Sequence, residues 1–423
     1  MTLRILCGVA AALFSLVVGC HHVPHGMPSS PTTSDSADSF IRLDEGIDRP
    51  TRLVTDNIRI NGTSAHLIVD TGSGLPITLF SPSLAKFGMK IVERGSPATD
   101  TKPGRVVPDV SQPCKIEVFG KTFHSVKLPV LPIPPWAGGE EEDGIVGWSA
   151  IRSNVWWLSL AERAIAPLET VPSDALTWTK FSIVEDDNQL SLRFADAAAP
   201  VPRIIIDTGN ASGLMLPPPK WREWSTTHST APRTLDTDWM FGSPTSLKEE
   251  SWADEIHVGN LVLHDIPVME AEPAYVRTAA PREDIVVMGL GALKRIDLVL
   301  DGEHGVAYAR ASGAPAPPYK HNRIGADFIP ADENSSELIA HVLAGSPAAE
   351  AGIREGDQLL QVDGQDMADW RTHPKRLDAI KSYYPPGTEF SVTLKRGDQI
   401  IRTTITTRDI LTPKSRSGPH LLQ

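Results

Sequence analysis

The apolar positions of this chain fall in short runs separated by glycine, proline and polar turns, which predicts β-strands rather than long helices. The stretch Leu53-Val54-Thr55-Asp56-Asn57-Ile58-Arg59-Ile60 and the stretch His66-Leu67-Ile68-Val69 read as a hairpin turning at Asn61-Gly62, a pair suited to a tight turn. Cys114 to Phe123 alternates and turns at Gly120, and Glu255 to Leu263 repeats that pattern. Both continue into similar ends, Val126 to Val130 and Ile266-Pro267-Val268. Two apolar runs finish in one and the same tripeptide. His66 to Val69 leads into Asp70-Thr71-Gly72-Ser73, and Arg203-Ile204-Ile205-Ile206 leads into Asp207-Thr208-Gly209-Asn210. A β-branched run bounded by glycine reads as a buried strand ending in a tight turn, so each Asp is expected at the floor of a groove.

At average residue usage a given tripeptide occurs about 0.1 times in a chain of this length. One copy alone reads equally well as an Asp capping a turn. Two copies with matching surroundings are a duplicated unit. Asp70 is followed by Asp143-Gly144-Ile145-Val146-Gly147-Trp148 and the strand-like Val155 to Leu160. Asp207 is followed by Asp284-Ile285-Val286-Val287-Met288-Gly289-Leu290 and Ile296 to Asp301, at nearly the same interval.

Further along, Leu338 to Val342 reads as a strand and Ser346-Pro347 starts a short helix that Gly352 stops. Gln358 to Val362 reads as a second strand, turning at Asp363-Gly364. Residues 311–320 are a Pro-rich linker and residues 21–41 a polar tether. Residues 1–20 have a charged Arg4, an apolar Ile5 to Val18 too short to span and stay, and a small-residue end at Gly19-Cys20, as in a secretory signal.

Composition narrows the picture. Hydrophobic residues are 41% of the 423, enough for real cores, while 36 prolines and 32 glycines favour turn-rich β structure. The net charge of −12 argues against a nucleic-acid partner. Of three cysteines, Cys7 and Cys20 lie in the leader, so Cys114 stands alone as a half-buried strand residue and no disulfide braces the folded part. The 13 histidines show no metal-ligand spacing, and His21, His22 and His25 fall in the tether. No phosphate-cradling glycine loop and no Gly-x-Ser-x-Gly elbow is present, so neither cofactor nor metal is expected.

The doubled Asp-Thr-Gly, each followed later by two apolar residues and a glycine, resembles retropepsin-like aspartic proteases, here with two lobes fused in one chain. The resemblance covers about residues 45–310. It implies a mainly β fold: lobe one over 42–170, lobe two over 171–310, and a bilobed cleft between them. It implies Asp70 and Asp207 as the catalytic pair of an aspartic endopeptidase acting on an extended peptide or unfolded protein. Thr71 and Thr208 would bond across the lobes, and Gly72 and Gly209 would allow the close turn. Ser73 fits the family position, whereas Asn210 departs from it and either tilts the second carboxylate or replaces the Ser hydrogen bond. With both copies in one chain the active form is expected to be a monomer.

The family's substrate flap would fall near Pro103-Gly104-Arg105 and Trp239-Met240-Phe241-Gly242. Trp221, Trp224, Trp239, Phe241 and Trp252 either line specificity pockets or pack under long loops. Glu140-Glu141-Glu142-Asp143 reads as a solvated loop. Residues 321–410 resemble an α+β PDZ domain of the type attached to bacterial proteases, with 411–423 as a tail. Ile324-Gly325-Ala326-Asp327-Phe328 would be its carboxylate-binding loop and peptide edge, unless the fold serves only for packing. The end of the leader resembles a bacterial lipobox. It implies export across the inner membrane and lipidation of Cys20, with His21 after it pointing to the outer membrane facing the periplasm. The rival reading is a catalytically silent cell-envelope binding protein that uses the PDZ domain and the protease-like cleft to hold peptides.

Overall fold

A computed structural model of the chain describes residues 41–45, 51–95, 107–118, 120–132, 142–186, 188–195, 203–238, 246–258, 261–271, 285–314, 318–332 and 335–411. The signal, Cys20, the tether before residue 41, both flap candidates, Trp239 and Phe241 lie outside the described residues. The described part is mainly β, in three sheets.

The first sheet has ten strands: β1 (Arg42–Asp44), β2 (Arg52–Ile60), β3 (Thr63–Asp70), β4 (Ile77–Phe80), β5 (Ile91–Glu93), β6 (Asp109–Ser111), β7 (Cys114–Val118), β8 (Lys121–Val126), β9 (Pro129–Leu131) and β10 (Gly144–Gly147). The β2–β3 hairpin turns at Asn61 and Gly62, both at positive φ (50° and 82°), as the Asn-Gly pair predicts. Helix α1 (Trp148–Ile151) follows β10.

The second sheet has twelve strands: β11 (Val155–Ser159), β12 (Ala164–Leu168), β13 (Thr179–Asp186), β14 (Gln189–Phe194), β15 (Arg203–Ile206), β16 (Leu214–Leu216), β17 (Arg233–Asp238), β18 (Ser246–Val258), β19 (Leu261–Glu270), β20 (Ile285–Met288), β21 (Ile296–Asp301) and β22 (Val306–Ala311). Helix α2 (Pro218–Thr227) follows β16 and α3 (Leu290–Leu293) follows β20. Residues 155–168 fall within the stretch assigned to lobe one by sequence. They pair with the second half instead, β11 running antiparallel to β21 with Trp157 opposite Val299.

The duplicated unit shows in the topology. β10 is parallel to β3 and antiparallel to β4, which is parallel to β9. In the same way β20 is parallel to β15 and antiparallel to β16, which is parallel to β19. One apolar core, including Val69, Val146, Trp148, Trp156, Ile206 and Met288, runs through both halves.

The third sheet comprises β23 (Ala326–Pro330), β24 (Leu338–Val342), β25 (Gln358–Val362), β26 (Gln365–Asp366), β27 (Glu389–Arg396) and β28 (Gln399–Thr406). Its core is separate and includes Ile324, Phe328, Leu359, Trp370 and Phe390. Helix α4 (Pro347–Glu350) is capped by Ser346, whose Oγ accepts from the Ala349 amide at 3.2 Å, and Gly352 at φ 85° ends that turn.

One expectation is corrected, and one open alternative is decided for the described aromatics. Glu142 and Asp143 are not solvated: both are buried, Glu142 paired with Arg52, and Asp143 with Lys86 and the His66 amide (2.8 Å). They sit where β10 enters the sheet, and Asp143 also exchanges backbone bonds with His66 and Phe80, so a charge run at a strand start is here part of the strand's anchorage. Of the aromatics, Trp221, Trp224 and Trp252 are buried, with Trp221 and Trp224 stacked at 5.4 Å on one face of α2. They pack rather than line an open pocket.

Candidate functional site

The two Asp-Thr-Gly turns meet at the centre of the paired halves. Each is positioned by a parallel strand that ends in glycine. Gly147 lies opposite Asp70 in the β3–β10 register, and the Asp207 amide donates to Met288 O at 3.0 Å, one residue before Gly289. A Cβ on Gly147 would come to 2.2 Å from Leu75 O, and one on Gly289 to 2.5 Å from Ser212 O. These glycines therefore let the turns fold back onto their supporting strands.

Four hydrogen bonds lock the turns together. The Thr71 hydroxyl donates to Ile206 O (2.5 Å) and accepts from the Thr208 amide (3.2 Å). The Thr208 hydroxyl donates to Val69 O (2.6 Å) and accepts from the Thr71 amide (3.0 Å). Each threonine thus makes the same two bonds into the opposite half. Both are buried, at 2% and 1% exposure, so no water competes for these groups. Two further contacts from the second half brace the first turn: the Leu190 amide donates to Thr71 O (2.9 Å), and Gln189 Nε2 donates to Gly72 O (2.5 Å). No local pattern signals these contacts, because Gln189 opens a hairpin strand far in sequence from the first motif.

The lock brings the carboxyls face to face. A Cβ on Gly72 would lie 2.7 Å from Asp207 Oδ1, and one on Gly209 would lie 2.5 Å from Asp70 Cγ. Only glycine fits at either position. The two carboxyls are in hydrogen-bonding reach of each other. The Gly209 amide donates to Asp207 Oδ1 at 3.1 Å, and the amides of Gly72 and Ser73 support Asp70 in the same manner. Asp207 is buried, and Asp70 Oδ1 is shut off from solvent without a protein donor. Burial, and then the charge of Asp207 facing it, push the Asp70 carboxyl well above the usual carboxylate range. Such a pair holds one proton between two oxygens that cannot both ionise readily, and it titrates as a unit.

Asn210, the departure from the repeat, points away from this centre. Its Oδ1 accepts from the Ser212 amide (2.8 Å), as Ser73 Oγ accepts from the Leu75 amide (3.3 Å), and its Nδ2 lies 3.7 Å from Met215 Sδ. Asn210 therefore replaces the turn bond of serine, two residues on, while its backbone amide donates to Asp207 O at 3.4 Å and closes the turn.

A second site lies in the third sheet. Gly325 has φ 60°, and a Cβ there would meet Ser346 Cβ at 2.5 Å. The amides of Ile324 and Gly325 both donate to Asn322 Oδ1 at 3.0 Å, while Asn322 Nδ2 donates to Ala326 O at 2.8 Å. β23, which follows, is an end strand of its sheet. Across from it, the turn of 3-10 helix Pro374–Ala379 leads to Ser382, whose carbonyl accepts from the Arg323 amide (2.7 Å). Asp327 on β23 is half-buried, and its desolvation raises the carboxyl pKa.

Residues 338–400 match the family model of the PDZ domain. PDZ domains bind peptide or protein ligands, and the match points to peptide or protein binding by this part of the chain. The loop Ile324-Gly325-Ala326 and strand β23 precede the matched residues, with the amides of Ile324 and Gly325 engaged by Asn322. No curated protein matches the chain.

Cys114 is buried with Sγ on Val126 O (3.2 Å), and burial pushes its thiol up to about 11, far from a nucleophile's range. Among the described residues, no cluster of three or more His, Cys, Asp or Glu side chains is arranged to hold a metal ion, and no helix is long and apolar enough to cross a membrane.

Proposed function

We propose that the protein is an aspartic endopeptidase of the cell envelope whose PDZ domain recruits peptide or protein substrates or gates access to the cleft. The observation that carries this reading is the pair Asp70 and Asp207, held face to face by the symmetric threonine lock. A binding protein has no physical need to hold two carboxyls together at the cost of burying them. The resemblance of both halves to retropepsin-like lobes supports it further, and both halves of the pair come from one chain, so a monomer suffices.

The chemistry follows from one shared proton. The ionised carboxylate takes a proton from a water as its oxygen attacks the scissile carbonyl carbon. The protonated carboxyl gives its proton to the carbonyl oxygen, forming a tetrahedral diol. On collapse the C–N bond breaks, the pair's proton passes to the leaving nitrogen, one diol O–H proton returns to the pair, and the carbonyl reforms as a carboxylic acid. The substrate would lie extended across both turns. Lipidation at Cys20, after cleavage between Gly19 and Cys20, would tether this body to the outer membrane facing the periplasm.

The test uses residues 41–423 and the variant Asp207→Asn, with casein followed from pH 3 to 8. Cleavage by the parent that the variant lacks supports the reading. Absence of cleavage by folded parent at every pH sinks it, and leaves a silent binding protein acting through its PDZ domain, which matches a family model over residues 338–400.

A further inference from the structure

We propose that the PDZ groove already holds a ligand, the chain's own β17, and that an external partner, an extended internal segment bearing Thr and Asp, enters only when β17 leaves. The proposal rests on the PDZ domain being a peptide-binding module, and is independent of whether Asp70 and Asp207 catalyse.

β17 is the last strand of the twelve-stranded sheet, paired on one side with β18, and β23 is the last strand of the third sheet. These two end strands meet. The Thr234 hydroxyl donates to Asn322 O at 2.6 Å, and the Thr237 hydroxyl donates to the Asp327 carboxylate. From the segment after the 3-10 helix Pro374–Ala379, Tyr383 Oη donates to Asp236 Oδ1 at 3.0 Å. Thus 234–237 is held both by the peptide edge and by the segment facing it. Thr234 and Leu235 are buried there. Behind them Glu250, opposite Thr234 in the β17–β18 register, is buried and accepts from Tyr319 Oη.

Two features give the groove its character. Its contacts with β17 are hydroxyls on carboxylates and carbonyls, the makings of a separable interface rather than a fused core. The loop amides that would receive a terminal carboxylate are satisfied by Asn322 Oδ1, and the segment in place is internal to the chain. A partner is therefore recognised along its length, by side chains spaced as in Thr234-Leu235-Asp236-Thr237.

The experiment measures binding of a fluorescent peptide of residues 231–238, blocked at both ends, to residues 41–423. It compares the parent with Thr234→Val/Thr237→Val and, separately, with Tyr383→Phe. Hydrogen exchange of 326–330 is followed in parallel. The double variant keeps β-branched side chains and the whole PDZ domain but loses the hydroxyls that hold β17. It is expected to bind the peptide at least ~10-fold more tightly than the parent, because the competent fraction rises, with faster exchange at 326–330. Tyr383→Phe is expected to speed exchange in the same segment. The peptide with a free C-terminal carboxylate should bind within about twofold of the blocked one. Unchanged exchange and unchanged affinity in both variants would overturn the resident-ligand assignment. Faster exchange with no peptide bound would overturn the external-partner half and count against the PDZ as a peptide receptor. A free carboxylate improving affinity ~10-fold would overturn the preference for an internal segment.

Discussion

Replacing Thr71 with valine removes one hydroxyl of near-equal shape from the centre of the molecule. The hydroxyl serves two bonds, so the change strands two buried groups, Ile206 O and the Thr208 amide. A buried polar group left without a partner costs about 1–3 kcal/mol, and two of them make about 2–6 kcal/mol, with partial relaxation favouring the lower half. With a denaturant slope of about 3 kcal/mol per molar urea, a loss near 3 kcal/mol lowers the unfolding midpoint by about 1 M. Thr208→Val strands the other two groups, Val69 O and the Thr71 amide, and shares no bond with the first change. Its effect is expected to match within ~1 kcal/mol, which is the energetic form of the pseudo-twofold. Thr71→Ser keeps the hydroxyl and should recover most of the loss. The assay is urea unfolding of residues 41–423 by fluorescence at pH 6. A midpoint shift under ~0.2 M for either valine variant, or a large shift in one and none in the other, would refute the symmetric lock.

Gly209→Ala places a methyl 2.5 Å from Asp70 Cγ, so it is expected to part the carboxyls and reduce casein cleavage by at least ~100-fold with the PDZ domain still folded; unaltered cleavage would contradict the packing described. Because the Asp70 pKa is raised on folding, an unfolded chain releases the proton near pH 4 while the folded pair still holds it. Stability is therefore expected to be full below about pH 4 and to fall as pH rises through the window above it, by up to about 1.4 kcal/mol per pH unit, with Asp70→Asn flattening the thermal midpoint between pH 4 and 7. A parent midpoint independent of pH over that range would count against a buried shared proton. Cys20→Ser in the full-length chain is expected to move the protein from the membrane to the soluble fraction of bacterial cells and to abolish incorporation of labelled palmitate; continued membrane association without label would point to a different anchor.

The turns were the most legible part of the sequence, because each is written in local chemistry. Asn61-Gly62 and Asp363-Gly364 take positive φ as such pairs do, and the strand ends at Asp70 and Asp207 follow from runs of β-branched residues stopped by glycine. The periodic recurrence of Gly147 and Gly289 likewise marked where a supporting strand must come close. What sequence order hid was partnership. β11 and β12 follow the first repeat, yet β11 pairs with β21, which no local pattern encodes. Glu142 sits in an acidic run, yet Arg52 neutralises it from far away in the chain. Asn322 precedes the peptide loop and reads as an ordinary polar residue until its side chain is seen spanning two amides. The docking of β17 on β23 joins hydroxyls and carboxylates that individually look solvent-facing.

The insertion of β11 and β12 into the second sheet also orders events in time. β11 lies between β12 and β21, and β21 is made about 140 residues later. At roughly 5–20 residues per second of synthesis, the first hairpin waits on the order of 10–30 s with one edge unpaired. Its apolar Val155-Trp156-Trp157-Leu158 would then be open to wrong pairing. Cutting the chain between the two halves would therefore leave β11 paired with β12 but without β21, so the first half ends on an open apolar edge when made alone.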